Sequence, residues 1–164
     1  MYRDGLIGFT FAIVLLSGSA ATAAPPDFDA NRTGLYTGPI KQPDFSSNRG
    51  AYTFRTRIRE SAAEGINFAG RVAIIMIGCG TSCRFGYAVD LVNGRIYDFP
   101  LGGEDYYGMI LHYRPWSRLV AAWWMRDGMD GSCMRQDFVW YPNKGFIASG
   151  TSAVVPKPCP ATGG

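Results

Sequence analysis

The sequence predicts an α+β fold: a dominant antiparallel β-meander, curled as an open sheet, preceded by one helix and stapled by disulfides. Three features carry this reading. An amphipathic stretch ends at Gly65, a series of apolar or alternating runs follows from Gly70, and four cysteines lie behind an export-type leader.

The leader comes first. MYRDG, then LIGFTFAIVLL from Leu6 to Leu16, then SGSAATAAPP, give a short polar head, an apolar segment and small residues ending in A-x-A, the layout of a signal peptide. The apolar segment is too short for a bilayer span, which takes about 20 residues; an uncleaved interfacial anchor is the other reading. Cleavage after Ala23 assigns residues 1–23 to the leader and leaves a chain of one-domain length. With no cysteine near that point and no twin arginine, general export is expected, to the periplasm or outside the cell.

A net charge of +3 is too weak to argue for nucleic acid, and none is expected as a partner. The only lysines are Lys41, Lys144 and Lys157, so positive charge is mostly arginine, whose planar fork suits carboxylate or phosphate. Solvated surface arginines are the plainer reading.

Residues 24–50, APPDFDANRTGLYTGPIKQPDFSSNRG, are dense in turn formers and predict an extended, turn-rich arm. Residues 51–155 form a single β-rich domain with a leading helix, and 156–164 a Pro-rich tail. In AYTFRTRIRESAAEG, Phe54, Ile58 and Ala62 fall at i, i+4 and i+8, with Gly65 as the stop signal. The alternation of Tyr52, Phe54, Thr56 and Ile58 keeps a strand reading open, against which the Ala-rich second half argues.

Val72 to Ile77 is uniformly apolar and β-branched, the pattern of a strand buried on both faces. RFGYAVDL then alternates, and Val92-Asn93-Gly94-Arg95 supplies an Asn-Gly hairpin turn back into Arg95–Phe99. After the glycine loop LGGEDYYG, MILHYRPWSRLVAAWW reads as two strands around Arg114-Pro115-Trp116-Ser117. DFVWYPNKGFIAS reads as a further hairpin. The rhythm is like one blade of a β-propeller, but the chain is too short for the four blades a ring needs.

GCGTSC is best explained as a clip on the hairpin between those first two strands. With Gly80-Thr81-Ser82 as a three-residue loop, Cys79 and Cys83 face each other across the ladder, where opposed Cβ atoms lie about 4.5–5.5 Å apart, close to disulfide distance. In an oxidising compartment four cysteines pair, and Cys79 with Cys83 and Cys133 with Cys159 is the preferred one of three connectivities, the second tethering the tail. Redox catalysis is the sharper alternative, yet it uses C-x-x-C at a helix start and this is C-x-x-x-C after a strand. Zinc would need all four cysteines, or three with His112, and lacks paired short knuckles. A Cys-His nucleophile would have to use His112, the only histidine, with Asp90, Asp98 or Glu104 as orienter.

Met125, Met129 and Met134, with Met76, Met109 and His112, define a soft-ligand candidate for copper(I), against ordinary methionine packing. Asp127-Gly128-Met129-Asp130-Gly131 lacks the calcium-loop spacing and is taken as a turn. The candidate binding surface is aromatic: Trp116, Trp123, Trp124, Tyr106 and Tyr107, with Arg114, and Tyr113, Trp140 and Tyr141 nearby. Trp123 and Trp124 must point to opposite faces of a strand, so at least one is expected at the surface or under the arm. Exposed Trp and Tyr beside arginine suit a protein or glycan partner; an aromatic core on each face of a covered sheet is the alternative.

The ordered set Asn67-Phe68-Ala69-Gly70, GCGTSC, Val89-Asp90 with Asn93-Gly94-Arg95-Ile96-Tyr97, Tyr113-Arg114-Pro115-x-Ser117-Arg118-Leu119, and Gly131-x-Cys133 before Phe138-Val139-Trp140 resembles an uncharacterised family of small exported bacterial proteins. Its pattern is NFAG…GCG-x-x-C…D-x-x-x-G-[KR]-[VI]-Y, and the resemblance covers residues 54–147. It implies bacterial origin, export and a shared β-rich fold, with no activity attached. Met76-Ile77 stands where members carry an aromatic, acceptor-rich segment, and Cys159 is not part of the pattern. The function expected is that of a non-enzymatic binding or inhibitory module, its partner a protein or glycan of the cell envelope. No catalytic residue, cofactor or metal is assigned. A thiol enzyme or redox protein using Cys79 and Cys83 with His112, and a copper-binding protein, are the alternatives.

Overall fold

The structure, a computed structural model, describes residues 24–160. The leader with its cleavage point, and the last four residues of the tail, lie outside the described residues.

The helix forms where the pattern places it. α1 spans Arg55–Ala63, entered through a 3-10 turn at Gly50–Phe54. Ile58 and Ala62 are buried and Phe54 partly so, while Tyr52 is exposed, which decides against the strand reading of this stretch. Gly65 ends the segment at φ 102°, a conformation that disfavours any side chain.

The meander divides into two sheets. β1 (Val72–Gly80), β2 (Cys83–Asp90) and β3 (Ile96–Asp98) form a three-stranded antiparallel sheet in that order. β4 (Tyr107–Tyr113), β5 (Leu119–Arg126), β6 (Ser132–Tyr141) and β7 (Gly145–Val154) form a four-stranded one, also antiparallel throughout. The register of β1 on β2 sorts the residues by face. Ala73, Ile75 and Ile77, opposite Val89, Tyr87 and Phe85, pack under Ile58 and Ala62 of α1. Val72, Ile74 and Met76 with Ala88 pack on the second sheet, against Met109, Val120, Ala122, Trp124 and Phe138. The expectation for Val72–Ile77 therefore holds: a layer of helix and a layer of sheet enclose it, and neither face needs polar residues.

Asn67 closes the free edge of β1. Its side-chain amide donates to the Ile74 carbonyl at 3.0 Å and its oxygen accepts the Ile74 N–H at 2.8 Å, replacing the two bonds a neighbouring strand would make. Asn67→Ala is expected to destabilise the domain by about 2 kcal/mol, since both Ile74 groups lose a partner in a half-buried setting. Equilibrium urea unfolding of the oxidised protein checks this; a loss below about 0.5 kcal/mol would mean water replaces the amide freely.

Both expected disulfides are present, Cys79 to Cys83 and Cys133 to Cys159, with Cα separations of 5.0 and 5.6 Å. The first differs from the sequence reading in detail. Gly80 pairs with Cys83 around a two-residue turn, Thr81-Ser82, and Cys79 sits in a bulge between the Gly78 and Gly80 pairs. A three-residue loop would have set the cysteines directly opposite; here the bulge, with Gly80 at φ 139° and Ser82 at φ 58°, re-aims Cys79 instead. Protein exported to a bacterial periplasm should alkylate at its four cysteines only after reduction, which intact mass reports; two thiols open beforehand would remove one staple.

The arm is turn-rich as expected, and it straps the loops of both sheets together. Thr33 N–H donates to the Trp116 carbonyl (2.9 Å), Tyr36 to Gly70 (2.7 Å), Lys41 to Leu91 (2.7 Å) and Asp44 to Gly94 (2.8 Å). Ser117, fully buried, donates from its hydroxyl to the Phe28 carbonyl at 2.8 Å. No helix among the described residues is long and apolar enough to cross a membrane.

Candidate functional site

The aromatic surface expected from the sequence is not assembled. Trp123 and Trp124 do point to opposite faces of β5, and both are buried, 6% and 7% exposed. Trp124 lies between the sheets with Tyr106 edge-on at 5.2 Å. Trp123 lies on the outer face of the second sheet beneath the Arg135 guanidinium (5.4 Å) and the His112 ring (4.6 Å). The tail completes that cover through Val155 and Cys159. Trp116 is half-buried under Arg32 at 4.4 Å, and Arg114, although exposed, lies over Phe28 at 5.0 Å. Both therefore clamp the arm. Tyr107 is half-buried and lines a different, acidic cleft with Glu104, Asp105 and Asp127.

The soft-metal set is likewise scattered. Met134, Met76 and Met109 face the core between the sheets, Met125 faces the outer side of β5, and Met129 is exposed in the β5–β6 turn. The geometry does not bring these sulfurs together with His112, because Met125 and Met134 lie on opposite faces of their sheet. No group of three or more His, Cys, Asp or Glu is placed to hold a metal among the described residues. The His112 imidazole rests on Trp123, where burial and then the Arg114 charge hold its pKa below the usual value. Cys79 and Cys83 join two strands, with no helix start beside them to activate a thiol.

What the fold does assemble is a cavity of about 390 Å³ where the arm crosses the seam of the two sheets. Several chain segments build it. The arm contributes Thr33 to Tyr36, and the loop before β1 contributes Ala69, Gly70 and Arg71. Val92 comes from the β2–β3 turn, Arg118 from the turn before β5, and Trp140 with Pro142 from the end of β6. Gly70 holds this junction by close backbone approach. At φ 71° it donates its N–H to the Pro115 carbonyl (2.6 Å) and accepts from Tyr36, and a Cβ there would run into the Gly34 carbonyl oxygen.

The charges around the cavity are unequal. Arg71 is neutralised by Asp90, which is fully buried: Nε to Oδ1 is 2.9 Å and Nη2 to Oδ2 is 2.8 Å. Arg118 is half-buried and stacked over Tyr141 at 5.2 Å, and among the described residues its guanidinium has neither an acidic partner nor a hydrogen-bond acceptor. No Asp or Glu lines the cavity. Trp140, 1% exposed, belongs both to the core and to the cavity wall, and its indole Nε1–H finds no acceptor among the described residues. Leu35, Val92 and Pro142 make the rest of the wall largely apolar. A larger cleft of about 490 Å³, between the β3 strand and the β6–β7 turn, carries Arg95, Asp98 and Lys144 and so presents both signs of charge. An apolar hollow with a few convergent polar groups is the better ligand site of the two.

Sequence reasoning did not single out Arg71 or Val92 for this role. Arg71 follows a turn whose geometry, Ala69 at φ 50° and Gly70 at φ 71°, is set by contacts with the arm and with Pro115, none of them local in sequence. Arg118 and Trp140 stood in the ordered motif set, but the burial of Ser117 and the lack of a partner for Arg118, which mark the site, are visible only in the fold. Comparison with family models, with curated proteins and with solved structures finds no match to this chain.

Proposed function

We propose that the protein is an exported binding module, acting in the periplasm or outside the cell, whose ligand site is the junction cavity. It holds a ligand without transforming it. The observation that carries this reading is the cavity itself: an apolar hollow with one unneutralised arginine and an indole ring in its wall, built by five separate segments on a stapled scaffold. The two disulfides are of the kind an oxidising compartment produces, which supports export. The burial of Trp123 and Trp124 favours a small ligand in a cavity over a flat protein or glycan surface.

Recovery of the ligand tests the proposal. Protein isolated natively from a periplasm, extracted and analysed by mass spectrometry, should release a small molecule in near-stoichiometric amount. Val92→Trp, which fills the cavity with a bulkier side chain, should release none while keeping a cooperative melt. The same compounds recovered from both proteins would remove the cavity as the site.

A further inference from the structure

On the reading of the junction cavity as the ligand site, we infer that its ligand is a small monocarboxylate with an apolar body. The charge balance around the cavity is the reason. Of its two guanidinium groups, Arg71 is cancelled by the buried Asp90, so one positive charge, Arg118, is left for a ligand. A monoanion matches that charge, whereas a phosphate dianion would leave about half its charge unmatched at neutral pH.

The donors have the right character. Arginine offers two parallel N–H groups to the two oxygens of a carboxylate, and Arg118 is already held flat by Tyr141, so little side-chain freedom is lost when it binds. The Trp140 indole ring forms part of the wall, so its buried N–H, which has no acceptor among the described residues, reports on a ligand seated against that wall. The remaining wall supplies apolar and aromatic contact from Leu35, Tyr36, Val92 and Pro142, which discriminates against acetate-sized ions and favours a carboxylate carrying a ring or branched chain. The cavity volume, about 390 Å³, accommodates such a molecule with room for water at the charged end.

The test uses the mature, oxidised, ¹⁵N-labelled protein and three probes: phenylacetate, its uncharged isostere phenylacetamide, and inorganic phosphate. Titrations are followed at the Trp140 indole N–H and the Arg118 Nε–H, with Trp140→Phe identifying the first resonance. Phenylacetate is expected to shift both signals saturably, with at least about tenfold weaker response to phenylacetamide and phosphate, the scale of one charge-assisted hydrogen-bond pair. Arg118→Gln should weaken phenylacetate by a similar factor, while Arg57→Gln, which removes an exposed arginine of α1, should leave it unchanged. Equal responses to acid and amide would overturn the inference, as would a phosphate response matching phenylacetate. Failure of all three probes would overturn it too, and a ligand recovered from the native protein would then still uphold the binding reading with a different chemistry. The comparison of acid with amide on the unaltered protein stands even if Arg118→Gln folds poorly.

Discussion

Replacement of Arg71 by leucine will destabilise the domain by about 3 kcal/mol, more than removal of the acidic partner will. Asp90 is fully buried; its Oδ1 accepts from Arg71 Nε at 2.9 Å and from the Val92 N–H at 3.0 Å, while its Oδ2, 2.8 Å from Arg71 Nη2, has that ion pair but no hydrogen-bond donor among the described residues. Arg71→Leu leaves that carboxylate in the protein interior without a counter-ion, a change that costs about 3–5 kcal/mol for a buried pair. The lower end applies because 28% of the Arg71 side chain still reaches solvent. The same exposure makes the converse change milder. In Asp90→Asn the side-chain oxygen can still accept from Val92, and Arg71 keeps access to water, so a loss of about 1–2 kcal/mol is expected. The double variant should be more stable than Arg71→Leu alone, because a neutral amide is cheaper to bury unpaired than a carboxylate. Urea unfolding of the four oxidised proteins closes the cycle. Arg71→Leu within 1 kcal/mol of the parent would show that the pair is not a structural joint.

That joint marks what the sequence made legible and what it did not. The helix, the buried strand and the Asn93-Gly94 hairpin rest on local patterns: α1 is shorter than the amphipathic stretch, which opens as a 3-10 turn, β1 runs three residues beyond Ile77, and β3 lies within one residue of each expected end. The face alternation of Trp123 and Trp124 was legible too, since it follows from the strand period alone. Which faces are covered was not legible. α1 covers one side of the first sheet and the tail covers the outer side of the second, and both depend on contacts far apart in sequence. The break between sheets was also hidden. LGGEDYYG reads as a loop, but whether its flanking strands pair is decided at a distance, by Gly108 donating to the Ser82 carbonyl at 2.8 Å and Gly103 to Arg84 at 2.9 Å. The arm shows the same limit. Its turn residues were plain, while its route over the seam depends on carbonyls of Trp116, Gly70 and Leu91 that no local pattern announces. The cavity inherits that invisibility, because it exists only where the arm, three turns and the end of β6 converge.

Removal of the Cys133–Cys159 bridge, as the double alanine variant, is expected to cost about 3.5 kcal/mol, against about 2 kcal/mol for Cys79–Cys83. The chain-entropy account sets this order, since the first closes a segment with sequence separation 26 and the second one of 4. Packing widens the gap. Cys133 is 1% exposed and lies with Ile110, Ala121 and Trp123 on the outer face of the second sheet, where Val155 and Cys159 of the tail cover it. Val155 adds one backbone bond, its N–H to the Cys133 carbonyl at 2.8 Å, and beyond it the tail is held by the bridge and by the exposed Lys157 ammonium, which donates to the Asp130 carbonyl at 2.8 Å. Once the bridge is cut, the tail can lift and Trp123 loses the cover of Val155 and Cys159, keeping that of Arg135, His112 and its neighbours Ile110 and Met125. Two readouts should therefore move together: the urea midpoint falls, and tryptophan emission in the native baseline shifts to longer wavelength. Neither spectral change nor uncovering of Trp123 is expected for the Cys79–Cys83 variant, whose clip spans a solvent-exposed hairpin turn. Equal losses from the two variants, with no change in emission, would show that the tail covers the outer face without its tether.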